Sequence, residues 1–437
     1  MRFAIATAIL ALSGVTAMAG ELDGLSLRQA VDYALSHNPR LNAQRADIRI
    51  DENQVNAAQA EKGPRIDLGA AATRGRYYSP LTPISILPGE PMSFPEFKNP
   101  VYDAGASFSL PLYRGGRLER NVNAAMLKKT MSEELYKGGV EDVIFNVTSA
   151  YYKIMQLNKL VDAAESNVKR LTGHKRNAEL FYKTGTAAKL DLLKTDVQLS
   201  SAVQSLLTAE NGLKSAHEFL KALLGVDDPG LEISISGETD GNPEYPAGDT
   251  AVTLALENRP ELAAARARMK IAEERVSMAG AKRLPSLTLS ADYAGRAGDA
   301  LAFNENWNAS LKMTLPFYDG GAISAETAKE REELEKARED ERGARINIVR
   351  EVKEAQYAIE NAAKRMEAAK SAVDAASEAQ RIETLKYNAG AGISADVLDA
   401  NAYLLRSESD YLQALFDRDI AVAALRRAIG GSNGKES

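Results

Sequence analysis

Two aspartates near the C-terminus, Asp396 and Asp399, have a spacing that could do chemistry. Residues three apart share one face of a helix, so their carboxylates would form an acidic patch that attracts cations. A simpler interpretation also fits, because Ser394 would serve as an N-cap and first-turn acids stabilise the helix dipole. The residues alone leave both interpretations open.

No other residues indicate catalysis. The chain contains no GxxxxGK[ST], HExxH or GxSxG motif, and it has no cysteine to serve as nucleophile, disulfide partner or thiolate ligand. His37, His174 and His217 lack the spacing of metal ligands and fall in predicted helices, so we assign them no chemistry. The net charge of -6, without a basic block, argues against nucleic acid as a partner. We therefore predict a protein that is not an enzyme and uses no cofactor.

The N-terminus has the pattern of an export signal. Arg2 precedes an apolar run from Phe3 to Leu12, and Ala17-Met18-Ala19 is a small-x-small cleavage signature. We predict a signal peptide at residues 1–19. Beyond it, no apolar run reaches the roughly 18 residues of a membrane helix, so any membrane crossing would be made by strands.

The chain is a tandem duplication. One set of five residues recurs in the same order: Ala30, Leu35, Pro39, Leu41 and Pro64 return as Ala251, Leu256, Pro260, Leu262 and Pro285. Pro-x-Tyr-x-Gly-Gly occurs at 111–116 and 316–321, and Tyr-x-x-Gly at 182–185 and 387–390. A Pro-rich run within 79–100 lengthens the first copy and predicts an exposed loop.

These repeats divide the chain. We predict a first copy at 20–227, a linker at 228–248, a second copy at 249–430 and a polar tail at 431–437. Within the linker, residues 231–235 favour a short strand.

Each copy carries two segments that alternate between apolar and polar residues. They cover residues 66–72 and 104–110 in the first copy, and 287–293 and 307–315 in the second. Their lengths are close to the about 9–11 residues of a tilted strand that crosses a bilayer. Aromatic residues near their ends would suit interfacial girdles: Tyr77, Tyr78, Tyr102, Tyr113, Phe303, Trp307, Phe317 and Tyr318. A soluble hairpin with one face on a core fits these segments equally well.

The helices are long. A helical stretch runs from Leu118 to about Thr184, with a heptad pattern from Val140 to Leu171 that recurs at 348–376 in the second copy. As a coiled-coil helix this stretch would be about 100 Å long. After Gly185, an antiparallel helix follows at 187–224. We predict that two shorter helices stack end to end beside each long one, joined where Pro39 or Pro260 meets Gly225 or Gly430.

The order of these features resembles the TolC family of outer-membrane efflux proteins. The residues that carry the resemblance are 34–39, 255–260, the Pro-x-Tyr-x-Gly-Gly pair, 387–390 and 396–400. It implies an α+β fold: four strands per chain in an outer-membrane β-barrel closed by trimerisation, continued by an antiparallel α-helical coiled-coil tunnel. It also implies a homotrimer in contact with outer-membrane lipid, a periplasmic adaptor, and an inner-membrane RND or ABC transporter.

The resemblance further implies a periplasmic gate at the helix tips. Asp396 and Asp399 match its acidic rings, whereas Asp191 and Tyr387 match positions of a hydrogen-bonded latch. Gly392 stands where the family has the latch arginine, so a tyrosine-arginine-aspartate lock cannot form as such. Three glycines would form the adaptor-docking tips, although each is first a turn former: Gly185, Gly390 and Gly392.

We therefore expect a passive exit duct of a tripartite efflux pump that exports small molecules. The alternative within the same class is the outer-membrane component of a type I protein secretion system. A periplasmic coiled-coil adaptor would explain the export signal and the heptads, but it would not explain four strands of membrane length.

Overall fold

The computed structural model describes residues 23–74, 100–237, 245–246, 248–297 and 301–431. The predicted signal peptide, Tyr77, Tyr78, the Pro-rich run up to residue 99, linker residues 238–244 and 247, and the tail after residue 431 lie outside these residues.

The described residues form long helices and one small sheet. In chain order the elements are α1 (Leu27–His37), α2 (Pro39–Ala60), β1 (Arg65–Thr73), β2 (Val101–Arg114), α3 (Arg117–Lys183), α4 (Lys189–Leu224), α5 (Asp249–Asn258), α6 (Pro260–Gly280), β3 (Ser286–Ala297), β4 (Asn304–Thr314), α7 (Ala322–Asn388) and α8 (Ser394–Ala428). The two long helices, α3 and α7, each have 67 residues. The described helices include none that is both long and apolar enough to span a membrane.

The fold has two compact units. Of the described residues, one unit comprises those up to Ala46, those within Glu133–Ala263 and those from Arg342 onward, and the other comprises those within Asp47–Ser132 and Ala264–Glu341.

The second unit contains an antiparallel sheet in the order β1-β2-β3-β4. All four predicted strands are confirmed. The register aligns apolar residues in rows across the strands: Leu68, Ala106, Tyr293 and Trp307 form one row, and Leu110, Leu289 and Leu311 form another. The opposite face is polar, with Asp67, Ser107, Asp292 and Asn308 in one row. Because side chains alternate between faces, this register separates an apolar from a polar surface.

The apolar face of the sheet is open. Leu68 is 83% exposed, Trp307 76% and Met313 70%. A soluble hairpin packs its apolar face on a core, and no described residue of this chain covers these three side chains. The exposed apolar face therefore favours the membrane interpretation over the soluble hairpin.

The first unit is a helical core built on the heptad positions. Val147 and Ile154 of α3 are fully buried, and their counterparts in α7, Val352 and Ile359, are buried as well. Alanines such as Ala150 fill the alternate positions, which lets neighbouring helix axes approach closely.

The predicted joins are present in this first unit. Gly225 ends α4 with φ of 76°, and a Cβ there would lie 2.6 Å from the carbonyl oxygen of His37, next to the break between α1 and α2. Gly430 has φ of 69° and lies against Asn258, where α5 gives way to α6. Only glycine combines a left-handed backbone with such close approach.

The linker segment 231–235 forms less structure than predicted. Instead of a strand, it makes an isolated parallel bridge between Ile235 and Leu25. The Tyr151 hydroxyl donates to the carbonyl oxygens of both Leu25 and Ser236, which ties this bridge to α3.

Candidate functional site: the two helix tips

Each long helix ends in a tight turn that leads into the next helix. The first tip connects α3 to α4, and the second connects α7 to α8. Gly185 (φ 79°) and Gly390 (φ 73°) occupy matching positions, and their N–H groups donate to the carbonyl oxygens of Tyr182 and Tyr387 at 3.1 and 3.0 Å. Both glycines are exposed, and added side chains would meet no neighbouring atom within 4 Å. The left-handed backbone alone explains glycine at both positions.

Gly392 closes the second turn. Its N–H donates to the carbonyl oxygen of Lys386 at 3.1 Å, and a Cβ would lie 3.0 Å from both the Lys386 Cβ and the Tyr387 nitrogen. Ala187 makes the matching bond at the first tip, to the Phe181 oxygen. The turn can therefore hold a Cβ at this position after a small shift.

Asp396 and Asp399 are both exposed at the start of α8. The prediction that Ser394 caps this helix is wrong. Ile393 is the N-cap residue and makes no side-chain cap bond, whereas Ser394 is the first helical residue and its side chain is buried. Its hydroxyl is engaged elsewhere, because it lies 2.8 Å from Nε2 of His174.

His174 is the centre of a buried cluster at the second tip. It projects from α3 and is only 6% exposed. Its ring contacts that of Tyr387, with 4.6 Å between centroids, and Phe181 packs on the same tyrosine at 5.4 Å. Thr195 of α4 lies 3.5 Å from the Ser394 hydroxyl. These contacts join α3, α4, α7 and α8 in one place.

The electrostatics of this cluster follow from its burial. Burial lowers the pKa of His174 below its ordinary value of 6.5, and the Asp191 carboxylate opposes that shift. Burial also raises the pKa of Tyr387 above 10.0, with a further rise from Asp191. The Tyr387 hydroxyl has no hydrogen-bond partner among the described residues. A neutral imidazole and a neutral phenol are therefore the forms that this packing favours.

A second layer of polar contacts lies farther from the tips. Arg170 of α3 donates from Nε to the Asn401 side-chain oxygen at 3.2 Å, and its guanidinium lies 3.7 Å from Glu408. Gln380 of α7 donates to the same Asn401 oxygen at 3.5 Å. Asn401 is 2% exposed, so α8 holds a buried polar group that both long helices contact.

Sequence reasoning missed His174 and Arg170 as tip residues. The heptad pattern places Leu171 in the seam and His174 beside the seam, where a side chain is expected to be partly solvated. In the structure α3 packs against more than one helix here, so positions that flank one seam lie in another. Within the part of the chain that the structure describes, no group of three His, Asp or Glu side chains could hold a metal ion.

Comparisons with known proteins place this geometry in a family. The model of the family described as "Outer membrane efflux protein" matches residues 30–226 and 251–431. The outer membrane efflux protein BepC of Brucella suis is 23% identical over 432 residues, covering 96% of this chain and 87% of that protein. The pyoverdine export outer membrane protein OpmQ of Pseudomonas putida is 23% identical over 414 residues, covering 93% and 86%.

The fold agrees with solved structures of outer-membrane channels. The OprN channel superposes with a TM-score of 0.81 at 20% identity, over 93% of this chain and 90% of that one. CusC gives a TM-score of 0.80 at 18% identity. The family model matches both copies of the repeat, which together make up most of the sequence. The chain therefore belongs to the outer membrane efflux protein family.

Proposed function

We propose that three copies of this chain form a passive exit duct through the outer membrane. The observation that carries this proposal is the sheet, which has one exposed apolar face, one polar face and two edge strands, β1 and β4, that pair on one side only within the described residues. Unpaired backbone groups cannot face lipid, so a membrane sheet must close into a barrel. Four strands are too few to close, whereas three copies supply twelve.

The helices supply independent support for the trimer. Large apolar side chains remain exposed on several helices of the isolated chain, among them Leu190, Leu193, Val197 and Leu207 on α4, Tyr357 on α7, and Tyr403 on α8. Exposed apolar surface on this scale is typical of a protein interface. In the trimer, these side chains would pack against the neighbouring copy.

The exported molecule is proposed to be small. The name of the pyoverdine export relative supports a low-molecular-weight cargo, and the shared family supports an outer-membrane channel that works with other proteins. We propose that the tips dock a periplasmic adaptor and that an RND or ABC transporter of the inner membrane supplies the energy. A neighbouring gene for an RND-type pump would support small-molecule efflux, whereas an ABC protein exporter would favour type I secretion.

Disulfide crosslinking tests the closed trimer, because the chain has no native cysteine and only introduced cysteines can react. A single cysteine in β1 is combined with cysteines placed one at a time along β4, and membranes are then oxidised. We expect disulfide-linked multimers at one register of β1 with β4. The matched control pairs β1 with cysteines in β3, from which β2 separates it. Recovery as a soluble periplasmic monomer, or crosslinks equally frequent with β3, would refute the closed trimer.

A further inference from the structure

A cavity of about 420 Å³ lies in the second unit, where the strands meet the helices. Four cationic side chains line it: Arg114 at the end of β2, Arg117 at the start of α3, Arg275 of α6, and Lys282 just before β3. Three carboxylates also line it, those of Glu61, Glu326 and Glu330.

Each carboxylate has a partner, which is a lysine for two of them and a neutral amide for the third. Glu326 pairs with Lys282 at 2.5 Å, Glu61 accepts from Asn121 at 3.2 Å, and Glu330 lies 3.5 Å from Lys329. By contrast, the guanidinium groups of Arg114 and Arg275 make no hydrogen bond or ion pair with any described residue. Two uncompensated cations on one cavity match the charge of a phosphate dianion, and the planar guanidinium fork binds phosphate oxygens in pairs.

The second copy of the repeat has an acidic side chain at the start of its long helix, whereas the first copy has none at the matching position. Asp319 stands at the position that matches Arg114, and its carboxylate accepts from the N–H groups of Gly321 at 3.0 Å and Ile323 at 2.7 Å. These backbone bonds lower the pKa of Asp319 below 3.8, so the start of α7 has a resident anion. Arginine cannot accept such bonds. The first residues of α3, Arg117 and Leu118, instead border the cavity.

We propose that this cavity binds a phosphate group, held by Arg114 and Arg275 beside the start of α3. The bound phosphate supplies the negative charge that Asp319 supplies to α7, because a helix N-terminus favours an anion. The phosphate belongs either to a phospholipid headgroup or to a small soluble phosphate compound. Only the lipid source rests on the proposed membrane placement of the sheet.

Thermal unfolding of the full chain in non-ionic detergent tests this site. The probes are inorganic phosphate against chloride at equal ionic strength, and short-chain phosphatidylglycerol against a phosphate-free monoacylglycerol. We expect a phosphate-containing probe to raise the unfolding temperature of the wild type. Arg275→Ala should weaken the apparent affinity by about tenfold, the size expected for one charge-assisted contact.

Two variants sharpen the result. Arg114→Asp gives the first copy the residue of the second, so it should lose the phosphate response yet unfold no lower than the phosphate-free wild type. Arg283→Ala is the matched control, because this exposed arginine donates to Ser324 and does not line the cavity. It should respond like the wild type.

The outcomes separate the possibilities. A response to inorganic phosphate supports the site with a soluble ligand, and a response to the lipid alone supports it with a headgroup. No response of the wild type to either probe, or an undiminished response in Arg275→Ala, overturns the proposal. If the wild type forms membrane trimers but binds neither probe, the phosphate site is refuted and the proposed duct is not.

Discussion

At the first tip Tyr182 is 43% exposed, whereas at the second tip the matching Tyr387 is 5% exposed and packs between His174 and Phe181. The backbone of the two turns is the same, with a left-handed glycine followed by bonds back to the end of the long helix. Duplication has therefore kept the turn while the side chains around it diverged. Both tips serve as turns, but only the tyrosine of the second tip packs into the buried contact where the four helices meet.

Changing the shared backbone should have the largest effect. Gly390→Val and Gly185→Val each place a β-branched residue in the left-handed region, at a cost of about 1–2 kcal/mol, so the turn should rearrange. If the tips dock the adaptor, both variants lose transport while trimers stay in the membrane, which a dye-accumulation assay on complemented cells measures. Gly343→Val is the control, since that glycine is helical and has open space around it. Full transport by both tip variants would rule out the tips as the docking site.

The two tips also differ in the number of acidic residues at the start of the helix that follows the turn. Asp191 and Asp396 are each the third residue of the helix after the turn, but the residue three further on is Lys194 at the first tip and Asp399 at the second. Only the second tip would therefore form two stacked carboxylate rings in a trimer. Asp396→Ala with Asp399→Ala should abolish cation preference in planar bilayers, and Asp191→Ala should retain it.

The helix-dipole interpretation of the same residues predicts otherwise. It expects the double variant to lose only about 0.3–1 kcal/mol per residue of stability, with unchanged selectivity. Cation preference that persists in the double variant would place the selectivity ring elsewhere.

Replacing Gly392 by arginine would restore the residue that the family has at the latch position. Gly392→Arg would add a guanidinium to the turn beside Tyr387, whose hydroxyl has no hydrogen-bond partner among the described residues and whose pKa is raised by burial and by Asp191. It would thus supply the cation of the lock that the family resemblance implies. We expect a lower open probability in bilayers than for the wild type. Gly392→Ala adds the same Cβ without the charge, and its counterpart Ala187 shows that the turn accepts one. Equal conductance in the two variants would show that arginine forms no lock here.

Acid should loosen the second tip more than the first. Burial lowers the pKa of His174 below 6.5, so the unfolded state binds the proton more readily and stability falls as pH drops below about 6.5. Hydrogen exchange at the second tip should therefore accelerate between pH 7.5 and 5, and His174→Gln should reduce this acceleration. The Asp191 carboxylate opposes this effect, because it favours the protonated ring. Replacing the exposed His37 by glutamine is the control.

The smallest effect is expected when the hydroxyl of a tip tyrosine is removed. Because the Tyr387 hydroxyl is buried with no hydrogen-bond partner among the described residues, Tyr387→Phe should raise the free energy of unfolding by up to about 1 kcal/mol. Tyr182→Phe, at an exposed ring, should change it by less. A clear loss of stability in Tyr387→Phe would mean that the hydroxyl bonds to a neighbouring copy.

Much of this architecture could be predicted because it depends on periodic patterns. The long helix predicted from Leu118 to Thr184 is observed at Arg117–Lys183, and all four alternating segments are strands. Glycine positions fixed the turns and the joins, since only glycine tolerates those backbone angles.

The tip cluster could not be predicted in the same way. The contact of His174 with Ser394 joins residues from different copies, and neither local propensity nor heptad position encodes it. Ser394 looks like a cap when only its neighbours in sequence are considered. Three-dimensional packing instead draws its side chain into the helix contact, so the cap position falls on Ile393.

The equal lengths of α3 and α7 limit how this protein can change in evolution. Each is an unbroken helix of 67 residues. Inserting one residue would turn everything beyond it by about 100° and advance it by about 1.5 Å, moving its buried heptad positions to another face. Insertions and deletions should therefore accumulate outside these helices. The first copy follows this rule, because its extra Pro-rich residues lie between β1 and β2.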